Sequence, residues 1–263
     1  MRKSLVFAIV LLLGGLAACS KEETPAGTTS APAQPAAGPV TKVDPATAAT
    51  IGGTIKFKDG SPKRPTLRMD ADAACAKLHA APVMSEEVVV NDNGTLQNVF
   101  VYVSGGLAGK TFAAPTQPVV LDQHGCMYRP HVVGVMTNQE VDILNSDPTT
   151  HNIHPVPSVN REWNTSMPPS SEKLVRTFAR EEIMVPVKCN IHPWMRSYIG
   201  VVGHPFFSVS GSDGSFKITG LPPGDYTVTA WHEKYGKQEQ KVTVGAKETK
   251  NLEFVFQPTS AGD

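Results

Sequence analysis

The chain has 263 residues, with 24 Lys plus Arg balanced by 24 Asp plus Glu, so its formal net charge is zero. It carries no basic stripe of the kind that binds nucleic acid and no acidic run that would act as a solvating tail. Beyond the N-terminal stretch roughly 210 residues remain for folding, enough for one large or two small domains.

The chain opens on Met1-Arg2-Lys3, followed by an apolar run from Leu5 to Ala18. That run is shorter than the about 20 residues a spanning helix needs, and it fits the apolar region of a signal peptide. It ends in Leu16-Ala17-Ala18-Cys19, which resembles a bacterial lipobox. The resemblance implies cleavage before Cys19, lipidation of that cysteine and anchoring to a membrane. Ser20 follows where an Asp would mark the inner membrane, so the same resemblance implies the periplasmic side of the outer membrane. Residues 1–19 are thus read as a lipoprotein signal. Residues 20–50 are rich in Ala, Pro, Thr and Gly and cannot bury a core, so a disordered tether is expected there. As a coil it would span on the order of 30 Å.

The rest reads as β. Ile51-Gly52-Gly53-Thr54-Ile55-Lys56-Phe57 leads into an Asp59-Gly60 turn, and Asp70 to Leu78 is briefly helical. Short β-branched or aromatic runs follow at Glu87–Val90, Val99–Val103, Pro118–Leu121, Val132–Val135, Val141–Leu144, Leu174–Phe178, Ile183–Lys188 and Ser197–Val202, bounded by Gly, Pro, Asn or Asp. Many short strands with frequent turns argue for a sandwich or barrel. From Phe206 a second pattern begins. Ser212-Asp213-Gly214-Ser215 is a hairpin signal, Leu221-Pro222-Pro223-Gly224 a tight turn, and alternating strands run to Phe256. Residues 206–258 resemble the carboxypeptidase regulatory-like family, a small transthyretin-like β-sandwich. That family starts on a Gly-Thr-Val strand with an Asp-Gly turn, the form found at residues 51–60. The resemblance therefore implies a discontinuous module of 51–69 and 206–258 with another domain, 84–205, inserted; the competing reading makes 51–58 the first strand of the inserted domain.

The inserted region carries the chemistry. Cys189-Asn190-Ile191-His192-Pro193-Trp194-Met195 places a thiolate, an imidazole and a thioether on one loop, and His151 lies upstream in Asp147-Pro148-Thr149-Thr150-His151-Asn152-Ile153-His154. Two histidines, a cysteine and a methionine are the donor set of a blue-copper electron-transfer site. The nitrogen and sulfur ligands suit Cu(II) and Cu(I) alike, and the weak axial thioether tunes the potential. A zinc site would want further cysteine or carboxylate ligands in place of a methionine. Multicopper oxidases and nitrite reductases need His-x-His or His-Cys-His pairs, and neither occurs, so no enzyme activity is expected. His154 is read as a hydrogen-bonded structural residue, and His204 and His232 as surface or strand-end residues. Cys75 and Cys126 are left over, and in an exported protein such thiols most often pair. The alternative is a second metal site, from Cys75 with His79 or from His124, Cys126, Met127 and His131.

On these motifs, 84–205 resembles a cupredoxin, and its ligand loop and the His151-Asn152-Ile153-His154 stretch are most similar to amicyanin. The resemblance implies an all-β fold: a cupredoxin Greek-key β-sandwich plus the small transthyretin-like one. It implies one type 1 copper centre held by His151, Cys189, His192 and Met195, with Asn152 helping to hold the loops around the thiolate. It also implies a single-electron carrier, with His192 at the exposed end and Pro193 and Trp194 in an apolar collar where redox partners dock transiently. The competing function is copper binding or delivery without redox turnover.

Overall fold

The computed structural model describes residues 39–258; the signal segment, Cys19 and tether residues 20–38 lie outside the described part, as do 259–263. In chain order the elements are β1 (Ala49–Phe57), a 3-10 turn at Met69–Ala71, α1 (Ala73–Lys77), β2 (Phe100–Gly105), β3 (Val119–Gln123), β4 (Tyr128–Arg129), β5 (Val132–Met136), β6 (Val141–Asn145) and β7 (His151–Pro155). There follow β8 (Thr165–Met167), β9 (Leu174–Arg176), β10 (Glu182–Lys188), β11 (Arg196–Val202), β12 (Phe207–Val209), β13 (Ser215–Leu221), β14 (Gly224–His232), β15 (Gly236–Val244) and β16 (Thr249–Phe256). The fold is all-β.

The strands form four sheets in two sandwiches. In the first, β13-β1-β16 faces β12-β2-β14-β15. β1 is antiparallel to β13 and parallel to β16, while β2 lies between β12 and β14. The period-2 alternation of β13 sends Phe216 and Ile218 inward, and a register shift past Thr219 brings Leu221 to the same side, where they meet Ile51, Ile55, Val101, Val103, Val228, Phe254 and Phe256. In the second, β5-β11-β10-β7-β8 faces β4-β3-β6-β9 over a core that includes Leu121, Ile143, Val135, Val185, Val187, Ile199 and Val201.

A third apolar layer joins the two. Phe100 of β2 is fully buried with Val132, Met184 and Val202 of the second sandwich, and Tyr102, Tyr198, Phe207 and Trp231 pack beside it. Gly134 and Gly200, on the paired strands β5 and β11, leave room for the Phe100 ring; a Cβ at either would stand 2.7 and 2.6 Å from ring carbons.

Several strand readings are corrected. Glu87–Val90 forms no strand; Val90 makes one isolated bridge to Leu96 across the Asn91–Gly94 turn, because the chain reverses before a partner strand can lie alongside. Val99–Val103, expected inside the 84–205 domain, pairs as β2 with β12 and β14 of the first sandwich. The tether expected over 20–50 gives way to packed chain before its end: Val40 bridges Thr111, and Ala49, buried at 1% exposure, opens β1. Small residues there are held by backbone pairing, which composition does not reveal. His204 and His232 are buried, not superficial. His204 stacks on Phe206, and His232 lies against Tyr235 and Phe256.

Candidate metal centre

Three elements converge on the site. His151 is the first residue of β7, so its side chain leaves the sheet at the rim. Cys189 follows the last residue of β10, and Met195 precedes the first of β11. The loop between them is closed by backbone hydrogen bonds from Cys189 N–H to the Met195 carbonyl, 3.3 Å, and from Met195 N–H to the His192 carbonyl, 2.9 Å. Tyr128 fixes both strand ends from below. Its hydroxyl lies 2.7 Å from the Asn152 carbonyl and 3.0 Å from that of Lys188, one residue from His151 and Cys189 respectively.

His151, Cys189 and His192 are all buried, and their donor atoms lie within 4.8 Å of one another. Met195 is buried in the same core cluster as Cys189. The Cys189 sulfur accepts the His192 N–H at 3.3 Å and lies 3.4 Å from Oδ1 of Asn152. That same oxygen accepts the Asn190 N–H at 2.7 Å, so Asn152 ties β7 to the ligand loop. Burial alone would raise the Cys189 thiol; the neighbouring His151 imidazole and the backbone groups of Asn152, His192 and Ile191 outweigh it and hold the group below the ordinary thiol range. A lowered thiol is the state a metal ligand needs.

The two imidazoles are oriented alike. His151 Nε2 donates to Asp147 at 2.9 Å, and His192 Nε2 to Asp72 at 3.0 Å. Each ring thereby carries its proton on Nε2 and turns Nδ1 to the other, 2.8 Å away. Two lone pairs facing at that distance in a buried site repel unless a cation lies with them. Without a metal a proton serves. Burial would lower the His151 pKa, but the hydrogen bond and charge of Asp147 and the Cys189 thiolate raise it to about 8. Asp147 itself is held low despite burial, by His151 and by the N–H groups of Cys126 and Gly125, each at 2.7 Å. Buried, carboxylate-backed imidazoles beside a lowered thiol fit a metal of nitrogen and sulfur preference.

The exposed-end expectation for His192 is corrected: the residue is 1% exposed. Asp72 lies against its Nε2 edge, and the disulfide between Cys75 and Cys126 brings the Cys75 sulfur within 3.7 Å of that nitrogen. Pro193 is exposed. Trp194 is half-buried, its ring centroid 5.1 Å from that of His192 and its Nε1–H donating to the Cys126 carbonyl at 3.1 Å. The alternative second site is not assembled. His79 Nε2 turns to the Gly125 carbonyl at 2.9 Å, His131 turns to the Arg196 carbonyl and to Glu233, and both cysteine sulfurs are in the disulfide. His154 hydrogen-bonds Glu162 and Asn190. Sequence reasoning missed Asp72, Asp147 and Tyr128. Asp147 had a signal, standing four residues before His151; Asp72 is 120 positions from its partner and had none.

Residues 201–257 match the model of the carboxypeptidase regulatory-like domain. No curated protein matches the chain in sequence. Among solved structures, a reduced amicyanin variant shares 21% identity over 38% of this chain and 97% of its own, at a TM-score of 0.29. A purple cupredoxin from Nitrosopumilus maritimus shares 17% over 32% of this chain and 98% of its own, at 0.27. A copper-containing nitrite reductase from Thermus scotoductus SA-01 shares 21% over 37% of this chain, at 0.29, and the match spans 24% of that enzyme's length.

Proposed function

We propose that the protein is a single-electron carrier built on one copper ion, held by His151, Cys189, His192 and Met195. The observation that carries this reading is the pair of buried imidazoles, each held at Nε2 by a carboxylate, with both Nδ1 atoms turned together beside a lowered thiol. Bound there, copper would supply a one-electron couple. The chain supplies rigidity: Asn152, Tyr128, Asp72 and Asp147 fix donors that would otherwise move with each change of charge. With the His192 edge covered, Trp194 and the exposed Pro193 form the outward face of the ligand loop and suit brief contact with a redox partner. Cys19 anchors the carrier to the envelope membrane, with the outer membrane the expected site.

The competing reading, copper delivery without redox turnover, requires the ion to leave. Buried donors and two carboxylate-locked rings oppose rapid release, which favours the carrier.

Adding Cu(II) to the full chain in detergent is expected to produce an intense visible thiolate-to-copper band and reversible one-electron voltammetry. Cys189→Ser should abolish the band. Wild-type protein that stays colourless with copper would sink the proposal, and a coloured protein that passes Cu(I) to an acceptor without electron exchange would favour delivery. Cys19→Ser is expected to move the protein from the membrane to the soluble fraction; unchanged fractionation would remove the anchor.

A further inference from the structure

We infer that residues 69–79 form a disulfide-locked cap on the metal centre, in which Asp72 positions His192, so that passage of an ion waits on movement of the cap; this rests on the copper reading above.

The burial of His192 does not come from its own loop alone, where Trp194 packs against one side of the ring. Its neighbours Ile191 and Pro193 are exposed, Ile191 at 49%, yet His192 stands at 1%. The cover over its Nε2 edge comes from a segment 120 residues away along the chain. Asp72 uses its two oxygens for two tasks. Oδ1 accepts the Ala74 and Cys75 N–H groups at 2.7 and 3.2 Å and so caps α1, while Oδ2 takes the His192 Nε2–H at 3.0 Å. The carboxylate cannot let go of the ring without disturbing the start of the helix.

α1 has only five residues, far below the length at which a helix holds itself together in water. Its position must come from tethers, and two are present: the Cys75–Cys126 disulfide and the hydrogen bond of His79 to the Gly125 carbonyl. Both land on the turn that carries Gly125 and Cys126, whose N–H groups are gripped by Asp147, the carboxylate behind His151. One covalent bond therefore joins the segment that carries Asp72, the carboxylate behind His192, to the turn that Asp147, the carboxylate behind His151, holds by two hydrogen bonds. The circuit runs from His192 to Asp72, through α1 and the disulfide to Asp147, and on to His151. Opening it at Asp72 frees one ring; opening it at the disulfide loosens both.

The test compares the full chain with Asp72→Ala, Asp72→Asn, the Cys75→Ser/Cys126→Ser double variant and Asp70→Ala, an exposed carboxylate in the same turn. Removal of Cu(I) by excess bathocuproine disulfonate is followed in stopped flow. Asp72→Ala and the double variant should release the ion roughly tenfold faster or more, as loss of a carboxylate behind a ligand histidine does in other sites. Asp72→Asn should fall between Asp72→Ala and wild type, since its single amide oxygen can serve the Ala74 and Cys75 N–H groups or the His192 Nε2–H but not both, and Asp70→Ala should be silent. In the metal-free chain, carbethoxylation of His192 by diethyl pyrocarbonate, read by peptide mass mapping, should be slow in wild type and fast in Asp72→Ala and the double variant. Asp72→Ala keeps the disulfide, so it reports on the cap even if the double variant fails to fold. Wild-type release rates together with wild-type His192 reactivity in Asp72→Ala would overturn the cap. A chain that holds no copper would overturn the carrier reading, and His192 reactivity would still decide the cap.

Discussion

Tyr128 shows how much of the centre rests on single atoms outside the donor set. Its hydroxyl serves two buried carbonyls, those of Asn152 and Lys188, on the two strands that deliver His151 and Cys189. Burial first, then the charge of Cys189, pushes the phenol well above its ordinary range, so it stays a donor at any working pH. Tyr128→Phe keeps the ring and removes the one hydroxyl hydrogen shared by these carbonyls, a lost buried hydrogen bond that costs about 1–3 kcal/mol. The expected outcome is a lower urea midpoint together with a shifted visible band in the copper-loaded protein; a variant with the wild-type midpoint and band would show that the hydroxyl is idle. The convergence of His151, Cys189 and His192 was readable because each sits in a short motif whose residue types have a shared chemistry: a Cys-x-x-His-x-x-Met loop and an upstream His-Asn. Asn152 was readable for the same reason. Tyr128 and Asp72 were not, because a hydrogen bond across the fold leaves no mark on the residues beside it, and an Asp before a short helix looks like an ordinary cap.

At the level of elements, the end of β14 sets a pH dependence. His232 is buried, with Nδ1 accepting the Lys234 N–H at 3.1 Å and its Nε2 without a partner. Burial, and then the charges of His131 and Lys234, lower its pKa from 6.5 to about 4. Between these values the unfolded chain binds a proton that the folded chain refuses. The stabilisation is therefore complete above pH 6.5 and lost as pH falls toward 4, by on the order of 3 kcal/mol. His204, lowered by burial, acts in the same direction. Urea midpoints should fall between pH 7 and 4.5, and His232→Gln should flatten that fall; an equally steep fall in the variant would assign the loss elsewhere. The burial of this histidine was illegible because it lies at a strand end, where the alternation of the strand stops. The same limit explains Glu87–Val90, a run of strand composition whose pairing stops at the Val90–Leu96 bridge. Strands with partners on both sides, such as β10 and β11, were legible from their alternation and turn residues.

For the molecule as a whole, the span that matches the regulatory-like domain model, 201–257, is not a folding unit by its own topology. In the three-stranded sheet β1 separates β13 from β16, and in the four-stranded sheet β2 separates β12 from β14. Removing residues before 201 splits both sheets. It also strips Ile51, Ile55, Phe57, Val99, Val101 and Val103 from the shared core. What would remain is the β14–β15 hairpin with unpaired strands on either side, and an isolated hairpin is marginal in water. A Gly-Gly-Thr-Ile strand followed by Asp59-Gly60 is local enough to point toward the distant sandwich, whereas the alternation of Val99–Val103 would suit a strand of either sandwich, so only the tertiary pairing decides. The sandwich that holds the candidate metal centre thus begins and ends on β2 and β12, which are themselves paired, and Phe100 locks its outer sheet in place through Gly134 and Gly200. A polypeptide of residues 201–258 alone is expected to show a disordered far-UV spectrum and collapsed amide dispersion, while 39–258 should give a strand spectrum. A well-dispersed, cooperatively melting 201–258 would mean that β13 and β16 can close on each other without β1, and the inserted domain would then hang from a module that does not need it.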